Sequence, residues 1–146
     1  MCSYCGCDSI ECIGRFMAEH TEIINATSAL RAACHGGDAT AVEGAADRVA
    51  GLLTPHTHAE EVGLFHVLRE DEEFTEHVDR LCAEHVEIDA ILAEVRAGDH
   101  SRYEVFERVL RAHIDHEDNG LFPAANIRFA GPEWDRVMEL TPPPAQ

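Results

Sequence analysis

The sequence predicts an all-α protein, an antiparallel up-down-up-down four-helix bundle followed by a short C-terminal helix. Three observations predict it. Four stretches hold apolar residues three and four apart, the spacing that lays one stripe along a helix. No stretch of useful length alternates apolar with polar residues, as a half-buried strand would. And one phrase is written twice: His56-Thr-His-Ala-Glu-Glu-Val-Gly-Leu-Phe returns 57 residues later as His113-Ile-Asp-His-Glu-Asp-Asn-Gly-Leu-Phe. A shorter echo precedes each copy, Glu19-His20-Thr-Glu-Ile and Glu84-His85-Val-Glu-Ile, so the chain reads as one helical hairpin made twice.

Asp8 followed by Glu11 resembles an N-cap with an acidic third position, which starts the first helix near Ser9. Its stripe is Ile13, Met17, His20, Ile24, Thr27, Leu30 and Cys34, and Gly36-Gly37 stops it. Asp38 caps the second helix, with the stripe Val42, Ala45, Val49, Leu52, His56, Glu60 and Gly63. Pro55 cannot donate to the carbonyl a turn earlier, so a kink or short break is expected just before His56. Arg69 to Glu73 is a charged connection between the hairpins.

The third helix carries Val78, Leu81, His85, Ile88, Leu92 and Val95, and Gly98 ends it. Ser101 with Glu104 reads as a capping box opening the fourth helix, whose stripe is Phe106, Val109, Leu110, His113, Glu117 and Leu121 up to a stop at Pro123. The C-terminal helix spans Pro132 to Leu140, and the prolines at 142–144 are expected to be disordered. The chain thus divides into a Cys-rich segment over residues 1–12, a bundle over 13–125, and an extension with its tail over 126–146.

Composition narrows the function. A chain of 146 residues, 45% apolar, is enough for one domain with a sizeable core. With 28 acidic against 11 basic residues, net −17, it repels nucleic acid and anionic membrane, so neither is an expected partner. There is no apolar run of membrane-spanning length and no basic leader followed by an apolar stretch, so a cytoplasmic protein is expected. Four of the six cysteines crowd into the first twelve residues, which argues against a disulfide scaffold and for a reduced compartment. Cys2, Cys5, Cys7 and Cys12 could form a separate thiolate site for Zn or Cu(I), or a redox switch, against the plainer reading of a flexible reduced terminus. Cys34 and Cys82 read as small core residues.

The repeated His-x-x-x-Glu carries chemistry because residues four apart on a helix share a face, so imidazole and carboxylate reach a common point. A single histidine on an apolar stripe is ordinarily a hydrogen-bonded core residue. Glu60 and Glu117 change the balance: an ionised carboxylate on an inward face costs several kcal/mol unless protonated, paired or metal-bound. No Arg or Lys lies on the inward stripes to pair with them. Metal ligation by His20, His56, Glu60, His85, His113 and Glu117 is therefore the economical reading. Imidazole with carboxylate suits iron, manganese or zinc, and two carboxylates able to bridge favour a dinuclear site. No histidine follows a Glu by three residues, which excludes the ferritin-type Glu-x-x-His motif.

These residues, with Glu60-Glu61 before Leu64-Phe65 and Leu121-Phe122-Pro123 after Glu117, make residues 13 to 125 resemble the hemerythrin-like, or HHE cation-binding, domain. The resemblance implies a four-helix bundle around two non-haem iron ions, oxo- or hydroxo-bridged and spanned by two carboxylates, with O₂, peroxide or nitric oxide reaching an open position. It implies two departures here. The oxygen carriers of the family have a fifth histidine four residues from the third, where this chain has Leu81 and Asp89; His77, two turns before His85, is the candidate substitute, and Asp89 a candidate seventh ligand or an acceptor behind one, against the reading of a solvated carboxylate. The carriers also place their last acid five residues after histidine, so Asp118 competes with Glu117, and the repeat favours Glu117.

Four imidazoles instead of five leave a more open, more carboxylate-rich site that favours ferric iron over reversible O₂ binding. The first functional expectation is a redox-active di-iron protein reacting with peroxide, nitric oxide or O₂. The second is a sensor or reservoir for O₂, nitric oxide or iron that does not turn over. The third, iron donation for repair of iron-sulfur proteins, follows from family members with an N-terminal cysteine segment, whose paired-cysteine pattern this terminus does not match closely. His35, His66 and His100 read as surface or helix-end residues; His58 and His116 are offset from the stripes by two and three positions, and neither is assigned a role, although His116 could stand behind the carboxylates.

Overall fold

The computed structural model describes residues 10–145, and they are all helical apart from short connections. In order they form α1 (Glu11–Gly36), α2 (Ala39–Val62), α3 (Leu64–Leu68), α4 (Glu72–Arg96), α5 (Tyr103–His116), a π-helical turn (Glu117–Leu121), α6 (Phe122–Arg128) and α7 (Gly131–Leu140). The long helices pack in a ring, α1 on α2, α2 on α4, α4 on α5 and α5 back on α1. None of the described helices is long and apolar enough to cross a membrane.

The ends follow local chemistry. Gly37 takes the left-handed conformation (φ 73°) that a side chain resists, and its N–H donates to Ala33 O. Asp38 accepts from the N–H groups of Thr40 and Ala41 to cap α2, and Asp71 accepts from Glu73 to cap α4. Two expectations fail, and a third lies beyond the described residues. The expected cap at Asp8 lies outside the described residues, and α1 begins at Glu11 after an extended Ile10 with no side-chain cap. Ser101 caps nothing: its hydroxyl donates to Asp99, and one 3₁₀ turn (His100–Arg102) leads into α5 instead of a capping box. And the short break allowed for at Pro55 is absent, since α2 runs through it from Ala39 to Val62. The carbonyl that Pro55 leaves unpaired belongs to Gly51, an exposed residue, so water can satisfy it.

The interruptions come instead after each His-x-x-x-Glu. α2 gives way to α3 at Gly63 (φ −102°, ψ −93°). In the second copy the chain continues past Glu117 as a π-helical turn and on through Pro123, which was expected to stop it. Proline is tolerated there because it sits in the first turn of α6, where no N–H is required. An i→i+5 turn brings residues five apart onto one face, so Phe122 joins Glu117 at the interior.

The interior has two apolar clusters. One joins Phe16, Leu64, Phe65, Leu81, Leu121 and Phe122 with neighbours; the other joins Ile23, Leu30, Leu53, Ile88, Phe106 and Leu110. The buried stripes match expectation on α4 and shift by one residue on α1 and α2, where Ile23, Ala46 and Leu53 are buried in place of Ile24, Ala45 and Leu52. Cys34 is buried and Cys82 half-buried. Cys2, Cys5 and Cys7 lie outside the described residues. Cys12, grouped with them above, is instead part of the first apolar cluster, and burial pushes its thiol up to about 12, so it is a packing residue and not an exposed thiolate.

The C-terminal extension is docked. Val137 is fully buried, Trp134 meets Phe129 edge to face, and Arg136 makes a two-pronged pair with Glu70. The tail is not loose at its start: Arg15 Nη1 donates to Pro142 O at 2.6 Å, and Thr141 Oγ1 donates to Val137 O. Thr141 fills the space beside Gly63, where a Cβ would overlap its hydroxyl and stand 3.0 Å from Ala59 O. Gly120, the matching glycine of the second copy, has room, with only the His77 ring at 3.8 Å. Chemical denaturation is therefore expected to show Gly63→Ala destabilised by about 1–3 kcal/mol through overpacking, and Gly120→Ala nearly unchanged. Equal losses at both glycines would contradict the Thr141 contact.

Candidate metal centre

Between the two apolar clusters, α1, α2, α4 and the α5–π junction each turn polar side chains inward. His20, His56, His85 and His113 are almost entirely buried, and Glu60 and Glu117 are 0% exposed. They form two groups, His20, His56, Glu60 and Glu117, and His85, His113, Glu60 and Glu117, with one ligand atom from each residue lying within 4.8 Å of the others. Both carboxylates belong to both groups. Glu60 Oε1 stands 3.3 Å from His56 Nε2 and 3.3 Å from His85 Nε2; Glu117 Oε1 stands 3.1 Å from His20 Nε2 and 3.2 Å from His113 Nε2.

Each imidazole is held from behind by a carboxylate. His20 Nδ1 meets Asp118 at 2.9 Å, His56 Nδ1 meets Glu19 at 2.8 Å, His85 Nδ1 meets Glu61 at 2.7 Å and His113 Nδ1 meets Glu84 at 2.8 Å. An acceptor at Nδ1 fixes the proton there, so Nε2 points inward as a bare lone pair, the orientation a metal ligand requires. The arrangement obeys the repeat. Glu19 serves its own hairpin's His56 as Glu84 serves His113, while Glu61 and Asp118 cross to the other hairpin's histidine. Phe65 stacks on His85 and Phe122 on His20 in the same crossed sense.

Such an interior is unstable without cations. Both oxygens of Glu60 and of Glu117, and Nε2 of His20 and His56, are buried with no hydrogen-bond partner; their short approaches are not aligned as hydrogen bonds. His85 Nε2 and His113 Nε2 face each other at 3.1 Å, which sets two lone pairs head to head if both rings are neutral. The donor set therefore fits a metal: imidazole nitrogens and carboxylate oxygens converge in two groups that share both acids.

Without metal, protons are the available cations. Burial pulls His20 down, but Asp118 and Glu117 outweigh it and push it up to about 9. Burial is likewise outweighed at His56, raised to about 10 chiefly by Glu60 and Glu19, and at His113, raised to about 9 chiefly by Glu117. His85 rises for the same reason, with Glu60 as its main partner. Glu60 stays well below the usual carboxylate range despite its burial, because His56 and His85 face it.

The family model of the hemerythrin HHE cation binding domain matches residues 13–125. The chain belongs to that family. Comparison with the curated proteins finds no match, and comparison with the solved structures finds none.

For this hemerythrin-family chain the structure brings together all six residues singled out by the repeat and leaves the added candidates outside the ring. Asp118 supports His20 and Glu117 takes the inner position; the π-helical turn presents both to the same ring. Asp89 is exposed and does not join either group. His77 rests beside Gly120, held down by partial burial and Arg80, and is likewise outside both groups. Leu81, at the position of the missing histidine, is wholly buried in the apolar cluster. His116 lies on Glu84 Oε2 at 3.0 Å, behind the carboxylate that holds His113. Sequence reasoning missed Glu19, Glu61 and Glu84 as supports, although Glu-His and Glu-Glu/Glu-Asp recur beside the ligands in both copies.

The raised imidazoles set a pH dependence. They stabilise the metal-free fold fully below their unfolded value of 6.5, and that contribution is lost as pH rises through about 9 to 10. The thermal midpoint of metal-free protein is expected to fall between about pH 7 and about pH 10, and that of metal-loaded protein to change less, since metal displaces those protons. A metal-free midpoint flat across this window would contradict the cluster.

Proposed function

We propose that this chain is a non-haem di-iron protein that reacts with O₂, peroxide or nitric oxide. Glu60 and Glu117 would bridge the two ions, with His20 and His56 completing one coordination sphere and His85 and His113 the other. The four long helices would then run up-down-up-down, each delivering its ligands to one level of the bundle. The observation that carries this reading is the sharing of both buried, unpartnered carboxylates between two histidine pairs.

Bound iron would supply redox chemistry, and each of the two groups would offer it four side chains. The chain's own contribution is positional and electrostatic. Asp118, Glu19, Glu61 and Glu84 keep the lone pairs of four imidazoles aimed inward. Phe16, Phe65, Leu81 and Phe122 exclude water from one side and admit a small, weakly polar ligand more readily than an ionic substrate. The two groups would offer equivalent donors, two imidazoles each and the same two carboxylates. The acidic exterior, net −17, draws cations toward the bundle.

Anaerobic loading of metal-free protein with ferrous iron, followed by peroxide or O₂, tests the reading. New near-ultraviolet and visible iron bands with consumption of the oxidant are expected, and Glu117→Gln should lose at least one of the two irons. A spectrum that returns fully when O₂ is removed, with no oxidant consumed, would select a sensor or reservoir instead. Absence of any band in iron-loaded protein would contradict both.

A further inference from the structure

One ligand is tied to the far end of the chain. Pro142 O accepts from Arg15 Nη1 at 2.6 Å; Arg15 Nε donates to Glu19 Oε2 at 3.0 Å; and Glu19 Oε1 meets His56 Nδ1 at 2.8 Å. The guanidinium also lies over Phe16, 5.6 Å from the ring centre, and that ring meets His56 edge to face. Arg15 therefore reaches His56 by two routes, a hydrogen-bonded one and a packed one. The tail continues over the same place. Ala145 helps line a cavity of about 50 Å³ bounded by Arg15, Glu19, Pro55 and His56, and the prolines at 142–144 border a groove of about 280 Å³ beside Cys12 and Arg15.

The second hairpin provides an internal control. Arg80 precedes Glu84 and His85 as Arg15 precedes Glu19 and His20. Yet Arg80 is exposed and, among the described residues, makes no ion pair, while the second oxygen of Glu84 is taken by His116. The sequence repeats the arginine, but only the first copy has a backbone carbonyl to hold it. Inner ligands and their carboxylates are two-fold; this outer layer is not.

We propose that residues 141–145 form a strap that positions His56 through Arg15 and Glu19, so that strap docking and metal retention on the His20–His56 side reinforce each other. This rests on the dinuclear reading above. A long, flexible guanidinium anchored at both ends loses its freedom once, and Glu19 then keeps one orientation for the imidazole. Coupling between two such sites is reciprocal, so whatever loosens the strap loosens the ion beside His56. Arg15 and the strap are positioning elements; neither touches the metal.

The test uses full-length protein loaded with Co²⁺, whose visible bands report coordination geometry, and follows transfer of the metal to a chelator. In wild type both equivalents are expected to leave slowly. Arg15→Met should release one of the two about tenfold faster, the lower end of what loss of an outer-sphere partner costs, and leave the other unchanged. Arg80→Met should match wild type. Replacing all three prolines (Pro142→Gly, Pro143→Gly, Pro144→Gly) should reproduce the Arg15→Met effect, because a strap free to wander in solution stays docked less often. Adding Arg15→Met to Glu19→Gln should accelerate release by much less than the product of the two single effects, since the hydrogen-bonded route is already cut and only the contact over Phe16 remains. Arg15→Met indistinguishable from Arg80→Met, equal acceleration of both equivalents, or additivity with Glu19→Gln would each overturn the strap. Failure of wild type to hold Co²⁺ at all would overturn the metal reading, and the strap with it.

Discussion

Two carboxylates with no exposed surface, set in the middle of an apolar bundle, are the constraint on which the rest depends. Placing Glu60 and Glu117 there costs several kcal/mol each in lost hydration, a large fraction of what a domain of this size has to spare. Among the described residues no arginine pairs with them; Arg15, partly buried, is already paired with Glu19. Four imidazoles surround them instead, which neutralise charge as imidazolium or as the ligands of a cation. The same residues thus act as a proton-loaded cluster when metal-free and as a donor set when loaded, and the fold has to tolerate both states.

The repeat explains how so many buried polar atoms can be handled by so short a chain. One hairpin supplies two histidines, one inner acid and two outer acids, and the second supplies the same. Crossing interactions make the halves interdependent: Glu61 holds the second hairpin's His85, Asp118 holds the first hairpin's His20, and Phe65 and Phe122 stack across in the same way. Neither half completes its own ring. Irregular backbone follows the inner acid in both copies, by a break at Gly63 and by a π-helical turn over Glu117–Leu121. Each acid is followed by a buried Leu-Phe pair; the Leu stands four residues after the acid, and the Phe, five residues after it, is the one that a regular helix would rotate away.

The inner ring was legible in the sequence because its spacing is a helical period and its repetition is improbable by chance. His20 and His85 stood in apolar rows; Glu60 and Glu117 stood four residues beyond His56 and His113. Family membership, and an all-helical chain over the described residues, agree with that reading. What was not legible is long-range or depends on an accident of exposure. Glu19, Glu61 and Glu84 look like ordinary surface acids until the helices pack, since each supports a histidine on another helix. Pro55 looked disruptive because the sequence does not tell that Gly51 faces water. Pro123 looked like a stop because an extra residue in the preceding turn cannot be seen in the apolar stripe. Ser101 matched a capping pattern, but Asp99 competed for its hydroxyl.

The central claim is that the interior is completed by two cations, and counting them is the most direct test. Metal-free protein titrated anaerobically with ferrous iron, with bound metal and released protons measured together, should saturate at two ions per chain and release protons as the imidazoles give up theirs. Saturation at zero or one ion, or binding without proton release at neutral pH, would contradict the account.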